Sequence, residues 1–176
     1  MKNTGSFFLV GLPGAGKSTL GKALARRLAY VFVDADQFLV QRTGVDIPTI
    51  FALEGEAGFR VREQAVIDEL TQRQGIVLAT GGGAVLNEQN RTALQNRGRV
   101  VYLYATPDEL WHRLRYDKGR PLLQVENPLA KLNDLYTQRD PLYREIADDI
   151  VDINGKTCVQ AIGILLRQLQ IEQEVK

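Results

Sequence analysis

The chain has 176 residues, 44% apolar and 24% charged, with a formal net charge of +1. That length suits one domain with a single substantial core, and the near-neutral balance removes the general attraction for nucleic acid or anionic membrane that a basic protein has. Its one cysteine, Cys158, excludes an intrachain disulfide and fits a reducing, cytoplasmic setting.

Residues 6–12 read as a buried strand. The apolar run is too short for a signal sequence or a membrane span, and it flows into Gly11-Leu12-Pro13-Gly14-Ala15-Gly16-Lys17-Ser18-Thr19. That run matches G-x-x-x-x-G-K-[ST], the loop that cradles nucleotide phosphates. Leu20, Ala23, Leu24 and Leu28 follow at helical spacing, so 17–28 is a helix. Glycines let the backbone N–H groups turn inward around anionic oxygens. The new helix adds the positive end of its dipole. Lys17 carries charge to the β- and γ-phosphates, and the Ser18 hydroxyl suits Mg²⁺.

Residues 30–34 form a second strand and 35–43 a helix. Asp34 and Asp36 close that strand. One carboxylate suits a Mg²⁺ water shell and the other an acceptor hydroxyl, while a plain helix cap explains them equally well. A helix over 54–73, ended by Gly75, pairs Arg60 with Glu63 on one face. Phe59 beside Arg60 turns that face inward. Residues 76–80 are a continuous apolar strand ending in Gly81-Gly82-Gly83, which reads either as a flexible loop or as backbone that must lie against a ligand.

A helix over 87–96 is expected to stop at Gly98. A strand over 99–104 and a helix opened by Thr106-Pro107 come next. Residues 116–126 lack either period and read as a loop, with Gly119 and Arg120 inside it. A helix over 128–145 should end or kink at Pro141. A short strand over 149–153 and a closing helix from Thr157 complete the chain, where Cys158 is expected to be a buried thiol and His112 has no role. Alternating strands and helices predict an α/β domain with a parallel sheet and its ligands beyond the carboxyl ends of the strands.

Taken together these motifs resemble the shikimate kinases. The family's marks are a phosphate loop, Asp-x-Asp, Phe-Arg-x-x-Glu, Gly-Gly-Gly, an Arg-Pro-Leu lid and Arg-x-Pro-Leu-Tyr. The chain has Asp34-Ala35-Asp36, Phe59 to Glu63, Gly81 to Gly83, Arg120-Pro121-Leu122 and Arg139-Asp140-Pro141-Leu142-Tyr143, in order. It departs near Ile47-Pro48-Thr49-Ile50-Phe51, where family members often carry an acidic residue. This reads as a local difference in how a helix starts.

The resemblance implies a three-layer α/β/α sandwich: a five-stranded parallel sheet and a mobile lid over about 116–126, all in one domain spanning 1–176. It implies transfer of the γ-phosphoryl group of ATP to the 3-hydroxyl of shikimate, with Mg²⁺. The nucleotide would be bound by Gly14, Ala15, Gly16, Lys17, Ser18 and Thr19, with Arg113 packed on adenine and Arg120 reaching the phosphates. Shikimate would be bound through a segment of about 35–63 carrying Asp36 and Arg60, with Gly81, Gly82, Gly83 and Arg139. Ser18 and Asp34 would serve the metal, and Lys17, Asp36 and Arg120 would act in catalysis. The expected partners are small molecules, ATP and shikimate, acting on a cytoplasmic monomer without nucleic acid or membrane.

Another small-molecule kinase of the same architecture, for gluconate or a nucleoside monophosphate, is the nearest alternative. A GTP-dependent switch would bring an Asn-Lys-x-Asp segment, which the sequence lacks. A nucleic-acid-dependent ATPase would bring a basic stripe interleaved with aromatics, also lacking.

Overall fold

The computed structural model describes residues 5–116 and 125–171. The lid expected over 116–126 falls largely outside them, and Arg120 falls outside altogether.

Five parallel strands form one sheet in the order β2-β3-β1-β4-β5, with β1 Phe7–Val10, β2 Val31–Asp34, β3 Ile76–Ala79, β4 Arg99–Tyr104 and β5 Asp149–Asp152. The three inner strands are almost wholly buried. Continuous apolar strands of this kind need cover on both faces. Helix α1, Lys17–Leu28, packs on β1 to β3 and touches α7, Cys158–Gln168. Helix α4, Glu88–Arg97, and helix α6, Pro128–Ile146, both lie against β4. Helix α5, Pro107–Leu114, packs on α6, and α2, Ala35–Thr43, packs on α3, Ile47–Thr71. The expected α/β sandwich is the observed architecture.

Four expectations need correction. Helix α3 begins at Ile47 rather than near 54. Asp46 accepts from the Thr49 amide at 2.8 Å and Pro48 stands in the first turn, so the departure noted there is an ordinary capped start. Gly55 then breaks the helix locally at φ 71, which hid its first two turns from the helical periodicity.

Helix α4 does stop at Gly98, its C-cap, as expected, but the residue is extended, at φ −166, rather than the left-handed cap glycine usually supplies. A β-carbon there would lie 2.6 Å from the Phe8 ring, so packing on β1 excludes a side chain. Pro141 does not end α6, which continues to Ile146. Its missing N–H costs one bond on an exposed side, while Leu132, Leu135, Tyr143 and Ile146 bury the opposite one. Cys158 is exposed, at the first position of α7.

Candidate active site

Every described residue expected in the site lies beyond the carboxyl ends of β1, β2 and β3, or on α3, α5 and α6 where these pass the same edge. A cavity of about 510 Å³ is lined by Pro13, Gly14 and Gly16 to Thr19, by Asp34 and Asp36, by Gly81 and Gly82, and by Arg113 and Cys158 among others.

The phosphate loop joins β1 to α1. Gly11, Gly14 and Gly16 all have positive φ, at 153, 87 and 90. Gly14 has a second reason to be glycine, because a β-carbon would lie 2.8 Å from Leu114 on α5. Gly16 is a left-handed N-cap without a side-chain bond, and no acidic residue stands in the first turn of α1. The leading amides of α1 therefore meet neither a capping oxygen nor a carboxylate, which suits an anion. Lys17 Nζ donates to the carbonyls of Gly11 at 2.6 Å and Leu12 at 3.1 Å, arching over the loop.

Asp34 satisfies both readings given to it. Its Oδ1 caps α2 by accepting from the amides of Asp36 and Gln37, while its Oδ2 accepts from the Ser18 hydroxyl at 2.9 Å. The hydroxyl thus keeps its lone pairs for another partner. This is a fit for Mg²⁺, which takes few protein ligands and many water or phosphate oxygens. Among the described residues no group of three or more metal-ligating side chains exists, as such a sparse site requires.

Asp36 opens α2 and points across to the glycine run. Burial and the neighbouring Asp34 push its carboxyl above the usual range, with Lys17 and Arg60 pulling partly back. Glu63 is buried on α3, and burial pushes it up as well, against the pull of Arg60. Arg60 Nη1 donates to Glu63 Oε1 at 2.8 Å, so the inward face foreseen from Phe59 is real.

The three glycines after β3 are each pressed by a different side chain. A β-carbon on Gly81 would sit 2.9 Å from Asp36 Oδ1 and 3.1 Å from Glu63 Oε2. On Gly82 it would sit 3.2 Å from Arg139 Nη1, and on Gly83 it would overlap the Arg60 guanidinium. None of the three has positive φ, so space rather than backbone freedom demands glycine. Arg60 and Arg139 converge here from α3 and α6. The Nε of each is buried and has no hydrogen-bond partner among the described residues. Two buried guanidinium donors without a partner among the described residues, both pressed against the glycine run, suit an anion.

Arg113 projects from α5 at the other end of the cavity. Its Nη2 donates to the carbonyls of Ile153 and Lys156, and its Nε to Glu109. It therefore ties α5 to the loop between β5 and α7. Sequence reasoning missed that loop and the rim position of Cys158. It also missed Tyr143, whose hydroxyl donates to the Gly82 carbonyl at 2.5 Å. The capping pattern Thr157…Gln160 was the available signal for the loop's end. The Tyr143 contact had none, since it joins residues 61 apart in sequence.

A family profile described as "Shikimate kinase" matches residues 13–170. The chain belongs to the shikimate kinase family. It is 55% identical to a shikimate kinase of Cupriavidus pinatubonensis over 94% of this chain and 86% of the relative. A solved shikimate kinase from Acinetobacter baumannii, in complex with shikimate, superposes with a TM-score of 0.88 at 46% identity, covering 98% of this chain and 97% of that one. A gluconokinase from Sinorhizobium meliloti aligns with a TM-score of 0.64 at 19% identity, covering 97% of this chain and 94% of its own, and shares the fold alone. The activity is that of an ATP-dependent shikimate kinase. No helix among the described residues is long and apolar enough to cross a membrane.

Proposed function

We propose that this chain performs the shikimate kinase reaction, transfer of the ATP γ-phosphoryl group to the shikimate 3-hydroxyl, with the residues that meet around Gly81 to Gly83. The observation that carries the reading is the pair of buried, unpartnered Nε donors on Arg60 and Arg139, set beside Asp36. A planar carboxylate is the anion that two guanidiniums bind best. Asp36 then accepts the hydrogen bond of the attacking hydroxyl. Its raised pKa equips it to take the proton as the bond to phosphorus forms.

On the nucleotide side, the α1 amides and Lys17 hold the phosphates. Lys17 exchanges its two loop carbonyls for phosphate oxygens. Ser18, oriented by Asp34, would hold Mg²⁺. When bound, the ion neutralises charge on the phosphate oxygens. Arg113 presents its guanidinium to adenine from the α5 side. Arg120 is assigned to the transferring phosphoryl group, where an arginine acts chiefly on the transition state. A closing lid around it would exclude water. The lone cysteine supports a cytoplasmic setting.

The test is a coupled ADP-release assay with shikimate and gluconate in parallel, joined to calorimetry of shikimate binding. Turnover with shikimate alone, and weakened shikimate binding by Arg60→Ala and Arg139→Ala, is expected. Preferred turnover of gluconate would replace the acceptor assignment.

A further inference from the structure

Helix α6 reaches the glycine run through one charged residue, Arg139, and is held to the sheet by two residues that follow it, Tyr143 and Asp140, the latter bonded by Tyr102 of β4. Tyr143 is completely buried and stands one turn beyond Arg139. Its hydroxyl donates to the Gly82 carbonyl at 2.5 Å. Tyr102 of β4 donates to Asp140 Oδ1 at 2.7 Å, and the Tyr102 and Tyr143 rings pack with centroids 4.9 Å apart.

The Gly82 peptide is therefore held from two sides by the same helix. Arg139 Nη1 occupies the space a Gly82 side chain would need, 3.2 Å from where its β-carbon would be, and Tyr143 takes its carbonyl. The Tyr143 oxygen also interacts with the Arg139 guanidinium, while burial keeps the phenol protonated and so a donor. A phenol that only filled the core would need any one acceptor. This one binds the single carbonyl that lies between the two arginines' glycine neighbours.

Resting on the acceptor assignment above, we infer that Tyr143 is a positioning residue for the acid substrate: its hydroxyl sets the Gly82 backbone and the Arg139 guanidinium in register, so that both meet the acceptor together. Without the hydroxyl, Gly82 loses its anchor and Arg139 its neighbour, while the ring still fills the core. Pro13 of the phosphate loop also lies against Gly82, but the Tyr143 hydroxyl bonds the Gly82 carbonyl and not that loop, so the larger effect should fall on the acid substrate.

Tyr143→Phe tests this, with shikimate and ATP affinities measured separately by calorimetry and by steady-state kinetics. Shikimate binding should weaken by about tenfold, the size expected for one lost buried hydrogen bond, with ATP affinity within about twofold of the parent. Replacing Tyr143 by 4-aminophenylalanine, which restores a donor at the same ring position, should recover most of the loss. In an Arg139→Ala background the Phe substitution should add less than its effect alone, because the two act on one feature.

An unchanged shikimate affinity in Tyr143→Phe overturns the inference, as does equal weakening for both substrates or full additivity with Arg139→Ala. Should Tyr143→Phe fail to fold, failure of the amino variant to bind shikimate more tightly than Arg139→Ala overturns it too. If Arg139→Ala itself binds shikimate normally, the acceptor assignment falls first. If Arg139→Ala is weakened and Tyr143→Phe is not, only the role of Tyr143 falls.

Discussion

Gly83 lies so close against the Arg60 guanidinium that a single methyl group on its α-carbon would take the guanidinium's place. The arginine that faces the acceptor thus depends on a missing side chain in another element. Gly83→Ala should displace Arg60 from the chamber and weaken shikimate binding by about 1–3 kcal/mol, the usual size of an overpacking effect. ATP binding should be unaffected. Calorimetry with each substrate checks this, and equal loss of both would show a wider collapse.

Arg60→Ala and Arg139→Ala should each weaken shikimate binding by roughly 2–5 kcal/mol, since a buried carboxylate would lose a charge-assisted partner. Affinity for ATP without acceptor should change little. Normal shikimate binding by both variants would remove the carboxylate assignment.

Lys17→Ala should lower turnover by about a hundredfold or more, as loss of a charge on the transferring group does. The folded state should survive, because Lys17 Nζ lies on the loop carbonyls of Gly11 and Leu12 and outside the apolar core. Circular dichroism together with the ADP-release rate gives the answer.

Asp36 gives a prediction in pH. Its pKa is raised in the folded state, so the native protein binds the proton more tightly than the unfolded chain does. Stability from this group is then fully present below the ordinary aspartate range, and it falls as pH rises through the raised folded pKa. Asp36→Asn removes that dependence. The variant's thermal midpoint relative to the parent should rise between about pH 3 and 7, with turnover lost throughout. A flat difference across that interval would show that Asp36 ionises as freely in the native state as in the unfolded chain.

Arg113→Ala and Arg120→Ala should separate kinetically. Arg113 is tied to the Ile153 and Lys156 carbonyls beside the nucleotide cavity, so its loss should raise the KM for ATP. Arg120→Ala should lower kcat more than it changes either KM, because its proposed contact belongs to the transition state. Full turnover by Arg120→Ala at saturating substrates would end the lid proposal.

What the sequence made legible follows the range of the interactions. The phosphate loop, the Asp34 cap and the Arg60–Glu63 pair are built from neighbours a few residues apart, so spacing alone exposes them. The strands were legible because buried parallel strands are unbroken apolar runs. Apart from the start of α3, where the Asp46 cap and Gly55 act locally, the differences arose where a distant partner decides. Gly98 is glycine because of the Phe8 ring, and α6 survives Pro141 because its opposite side is buried. Cys158 looked like core material, yet the turn from β5 into α7 carries it to the cavity rim. The Gly-Gly-Gly run was open to a flexible loop or a backbone against a ligand, and the side chains that press on it, from α2, α3 and α6, could not be read from its own sequence.

The central position of β1 has a consequence for how the molecule is made. This strand is the first to be synthesised, yet its neighbours are β3 and β4, with Phe7 paired to Val77 on one side and Arg99 on the other. The middle of the sheet cannot close until those later segments have left the ribosome. Such distant pairing predicts slow closure compared with a helical bundle of this size. The acceptor chamber comes later still, because Arg139 is delivered by the penultimate helix. A nascent chain ending after α5 would carry the phosphate loop, Asp36, Arg60 and all three glycines, yet lack one of the two arginines proposed to hold the acid.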